Sequence, residues 1–67
     1  MGIRKHKLVL TPNLEHTDDL YQRLIDAHAG LSAEQSRRLN ARLILILFNH
    51  IGDEDIINEA LEAAISV

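Results

Sequence analysis

Leu43-Ile44-Leu45-Ile46-Leu47-Phe48 is the stretch that decides how this 67-residue chain folds. It lies inside a longer segment, Ser32 to Gly52, that reads as a helix. A surface helix shows a single apolar stripe. Successive residues step about 100° around a helix, so six apolar residues in a row point in every direction. Such a helix needs neighbours on all sides, and a chain this short supplies one or two at most. The simplest source of the rest is a second copy of the chain.

Size and composition lead the same way. Domains below ~70–80 residues gain only a few kcal/mol from one core and rely on disulfides, metals or oligomerisation. There is no cysteine, so disulfide staples and thiolate metal sites are excluded. Tyr21 and Phe48 are the only aromatic residues, which leaves packing to aliphatic side chains. The run of six is far shorter than the ~20 apolar residues of a membrane span. No secretory signal is read, and His6 stands where a myristoylation pattern needs Ser or Thr. The expected location is the cytoplasm.

Working outward from the run, the helix opens with Ser32-Ala33-Glu34-Gln35, a capping box, and closes at Gly52. On its wheel Gln35, Arg38, Arg42 and Asn49 share one polar stripe, while Ser36, Asn40 and His50 share another. A first helix is expected from Thr17, as N-cap, with Asp18 and Asp19 against the helix dipole and Gly30 as the stop. Leu20, Leu24, Ile25 and His28 recur along it at helical spacing, with Tyr21 beside them. A third helix is expected from Asp53, as N-cap, to about Ile65, with an apolar face of Ile56, Ile57, Ala60, Leu61, Ala64 and Ile65. Residues 1–13 read as an extended arm broken by Pro12, frayed over Met1 to His6. The expected architecture is therefore all-α. It has an arm (1–13) and one three-helix up-down domain (14–67), completed as a helical homodimer whose core includes Leu43, Ile44, Leu47 and Phe48.

Charge is unevenly laid out. Arg4, Lys5 and Lys7 make the arm basic, and Arg37, Arg38 and Arg42 make the start of the second helix basic. From Asp53 onward there are five acids and neither Lys nor Arg. Opposed faces of this kind read first as solvated faces with a small dipole, and across an interface they would add specificity more than affinity. Nucleic-acid binding is not expected. The helix after the Gly52 turn carries only acids, where phosphate contacts need cations.

Chemistry is sparse. There is no glycine-rich phosphate cradle and no nucleophile with a supporting base, and Ser32 and Ser36 read as cap and surface. The expectation is a non-enzymatic protein without a cofactor. If the first two helices are antiparallel, His16, His50 and Asp53 meet at one end, a set a metal could use. No His pair sits one helical turn apart to support it. His50 and Asp53 equally read as caps of adjoining helices. Asn49 is left over, and it can cross-link helices when partly buried. Arg42 near an apolar core needs an acid such as Asp26, Glu59 or Glu62 of either chain, and with Asn40 it reads as a register-setting contact.

Thr11-Pro12-Asn13-Leu14, Leu20-Tyr21 through Ala27-His28, Gly30-Leu31-Ser32 with Glu34-Gln35-Ser36, Leu39-Asn40-Ala41-Arg42-Leu43 and Asn49-His50-Ile51-Gly52-Asp53 follow one another in fixed order. Together these blocks resemble a small bacterial family, domain of unknown function 2783, over about residues 11 to 63. Phe48, and Leu20 before Tyr21, depart from the family's pattern and change packing only. The family carries no assigned activity. The resemblance implies an accessory or small-subunit role, because its members are often encoded beside flavin-dependent oxygenases and other enzymes of aromatic-compound breakdown. It also marks Asn40, Arg42, Asn49, His50 and Asp53 as candidate partner contacts.

Overall fold

A computed structural model describes residues 7–66. The expected fraying of Met1 to His6 and the basic residues Arg4 and Lys5 lie outside the described residues, as does Val67. Three helices are present, α1 (Thr17–Ala27), α2 (Ala33–Ile51) and α3 (Glu54–Ile65), with no strand among the described residues. Residues 7–16 form no regular element. No helix among the described residues is long and apolar enough to cross a membrane.

Local chemistry accounts for most helix ends. Ser32 Oγ accepts from the Gln35 N–H at 3.2 Å while the Ser32 N–H donates to Gln35 Oε1 at 2.9 Å, a complete capping box. At the other end Gly52 adopts φ 65°, and its N–H closes α2 on the Phe48 carbonyl at 2.9 Å. Asp53 then caps α3 by accepting from the N–H groups of Asp55 and Ile56. Gly30 also takes a positive φ, 77°, in the turn after α1.

One cap differs from the sequence reading. Thr17 is the first helical residue, not the N-cap, because the His16 carbonyl already accepts from the Leu20 N–H at 3.1 Å. The cap residue is His16, whose side chain makes no capping bond. Asp18 and Asp19 in the first turn supply the negative charge that favours this end. The His16 ring faces Asp19 at 4.0 Å.

The helices do not close into a bundle within one chain. α2 and α3 approach each other at the Gly52 corner, where Phe48, Asp53, Ile56 and Ile57 are half-buried. No α1 Cα comes within 8 Å of one in α2 or α3. The chain is 48 Å long with a radius of gyration of 14.4 Å, against about 11 Å for a compact domain of this length. No described residue is buried. The chain exposes 6278 Å², about 2000 Å² more than a folded monomer of this mass normally leaves in water.

Candidate functional site

One concavity follows from the separation of α1 and α2. It is an open groove of about 990 Å³ running between the two helices. Leu20, Leu24 and Ala27 of α1 form one wall, and Leu39, Leu43, Ile46 and Leu47 of α2 form the other. Leu31 closes the turn end, and Leu14 of the preceding segment adds to the lining. This side of α2 takes Leu43, Ile46 and Leu47 from the run 43–48 and continues backwards to Leu39 at helical spacing, so the apolar surface is long as well as broad.

The lip of the groove is cationic. Arg23 stands on α1, and Arg38 and Arg42 stand on α2 beside Gln35. Arg38 donates to Glu34 Oε2 at 2.6 Å, an exposed pair one turn apart. Neither Arg23 nor Arg42 has a hydrogen-bond or ion-pair partner among the described residues. No acid lines the groove, and no residue of α3 contributes to it. An apolar floor under an arginine lip suits an amphipathic, anionic helix. It offers neither a nucleophile nor an acid–base pair.

The other sequence-derived residues fall into different places. Asn40 is held by His28: the ring Nε2 lies 2.9 Å from Asn40 Oδ1, and Nδ1 lies 2.7 Å from the Leu24 carbonyl. The Leu24 carbonyl can only accept, so Nδ1 carries a proton. The Asn40 contact is then made by an imidazolium Nε2–H donating to Oδ1, or by a neutral ring accepting from a turned-over amide. Asn49 borders a second hollow of about 560 Å³ with Leu45, Phe48, Asn58 and Ile57 at the α2–α3 corner. Its side chain makes no hydrogen bond among the described residues, so it does not cross-link helices there.

His50 is exposed in the last turn of α2 and does not cap it; the closing bond comes from the Gly52 N–H. Asp53 is half-buried, with its carboxylate committed to the α3 cap. His16, His50 and Asp53 are not gathered: among the described residues no group of three His, Asp or Glu side chains is placed to hold a metal ion. Of the residues expected in the oligomer core, Phe48 is half-buried, while Leu43, Ile44 and Leu47 remain 36%, 47% and 48% exposed.

Sequence reasoning did not find the pairing of His28 with Asn40, nor Arg23 as part of a cationic lip. Both join residues from different helices. The only local trace is that Arg23 and Leu20, Leu24 and Ala27 fall on neighbouring faces of α1 at helical spacing.

A family model described as a protein of unknown function, DUF2783, matches residues 8–66. The chain belongs to this family. The match covers all three helices, the groove and the Gly52 corner, together with the blocks that carried the resemblance. No curated protein and no solved structure gives a significant match.

Proposed function

We propose that this member of the DUF2783 family is a small, non-enzymatic helical interaction protein that works as a homodimer. The observation that carries this reading is the missing interior. No described residue is buried, although nearly half the sequence is apolar. The excess exposed area of about 2000 Å² per chain would make an interface of roughly 4000 Å² in a dimer, within the range of obligate homodimers. In such an assembly the up-down arrangement of helices is completed between chains rather than within one. Arg42, Asn40, Asn49, His50 and Asp53 remain the candidate contacts, the first through its unpartnered guanidinium.

Sedimentation velocity at micromolar concentration tests this reading. A dimer is expected; a stable, folded monomer overturns it. The accessory role implied by the family is proposed alongside it, with a flavin-dependent oxygenase or another aromatic-degradation enzyme as partner. Affinity purification of the tagged chain from its source cell should recover such an enzyme reproducibly. Recovery of none counts against that role while leaving the dimer untouched.

A further inference from the structure

We infer that the groove between α1 and α2 receives α3 of a second copy, so that two chains exchange their third helices reciprocally; this rests on the homodimer reading above. The groove lies where the third helix of a three-helix domain would sit. The chain's own α3 does not occupy it: no α3 residue is among those that line it, and α3 meets α2 at the Gly52 corner instead.

Shape and length agree. α3 has 12 residues and α1 has 11, about 18 Å and 17 Å of helix respectively. The third helix can therefore run the length of the wall that Leu20, Leu24 and Ala27 provide. On α3, Ala60, Leu61, Ala64 and Ile65 span an arc of about 140°, and Asp55 and Glu62 lie together on the opposite side. Leu61 and Ile65 are 47% and 80% exposed, so the far end of this face is open in the single chain, while Ile57 in the same arc is half-buried at the Gly52 corner. With the apolar arc set down between Leu24 and Leu43, Asp55 and Glu62 ride at the mouth of the groove.

Charge selects the occupant. The third helix carries acids and no cation, and the groove lip carries Arg23, Arg38 and Arg42 with no acid. Two of those arginines have no partner of their own among the described residues. A helix bearing Lys or Arg would be repelled at the same lip. A two-fold operator lets each chain give and receive the same element, which closes the assembly at two copies.

The absence of cysteine makes the test direct. Chains carrying Leu43→Cys are mixed with chains carrying Ala64→Cys and oxidised, and the double variant L43C/A64C is oxidised alone. Disulfide-linked dimers joining position 43 of one chain to position 64 of the other are expected in both. A cyclised monomer from the double variant, cross-linking of the Leu43→Cys chains only to each other, or no cross-link at all overturns the inference. Charge reversal gives a second readout that leaves the apolar contacts intact. Arg42→Glu should weaken self-association at least about tenfold, and mixing it with Glu62→Arg chains should recover heterodimer. Unaltered association of R42E overturns the inference. Sedimentation of the unmodified chain separates the cases. A dimer without these cross-links refutes the helix exchange alone, whereas a monomer refutes the homodimer itself.

Discussion

Nε2 of His28 lies 2.9 Å from Oδ1 of Asn40, and this contact ties the end of α1 to α2 across the Gly30 turn. The same ring holds the Leu24 carbonyl through Nδ1, so one imidazole fixes both its own helix end and the next helix. The angle between the groove walls therefore depends on a polar contact rather than on interdigitated side chains.

Removing either partner should open that angle. His28→Ala and Asn40→Ala are each expected to cost about 1 kcal/mol, the net value of one hydrogen bond. Because both remove the same contact, the double variant should cost less than the sum of the singles. Urea unfolding of the four chains at one fixed concentration measures this. Strict additivity would show that the contact carries no stability.

The caps give a second prediction. Ser32→Ala removes the acceptor for the Gln35 N–H, and Asp53→Ala removes the acceptor for two N–H groups at the start of α3. Each should lower stability by about 1 kcal/mol, within the usual span for N-cap removal. Thr17→Ala should have a smaller effect, since His16 holds the cap position of α1. Thermal melts followed by circular dichroism rank the three, and Thr17→Ala proving the most harmful would contradict the helix start seen here.

Gly52 separates strain from crowding. A Cβ added there would sit 3.7 Å from the Asn49 carbonyl oxygen, an ordinary contact, while the backbone holds φ 65°. The cost of Gly52→Ala, about 1 kcal/mol or more, should therefore come from the left-handed conformation. Asn tolerates that region better than Ala, so Gly52→Asn should recover part of the loss. Equal melting temperatures for the two variants would rule this explanation out.

Assembly itself predicts a concentration dependence. If chains fold as they associate, the melting temperature should climb as total protein rises, by mass action. Ile46→Asp, which places a charge on the α2 wall of the groove, should abolish association and most of the helical signal together. Isolated helices of 11 and 12 residues are marginal in water. A melting temperature that stays constant over a hundredfold range of concentration would exclude coupled folding and association.

Features set by near neighbours could be read in the sequence. Ser32 with Gln35, Gly52 and Asp53 act through residues within four positions, so type and spacing alone disclose them. Thr17 misled because a good capping side chain stands one place inside the true start, and two acids there make either start favourable. The run 43–48 announced unmet packing but not its geometry. How far α1 stands from α2 depends on the His28–Asn40 contact, whose partners are twelve residues apart. The cationic lip was invisible for the same reason, because Arg23 joins Arg38 and Arg42 only once the turn at Gly30 has folded.

A chain whose described residues include none that is buried would depend on its concentration in the cell. If the chains fold as they associate, newly made chains at low expression would meet proteases before they meet each other, and their half-life would lengthen only once synthesis outpaced that loss. The amount of this protein in a cell would then respond to gene dosage as a threshold rather than in proportion.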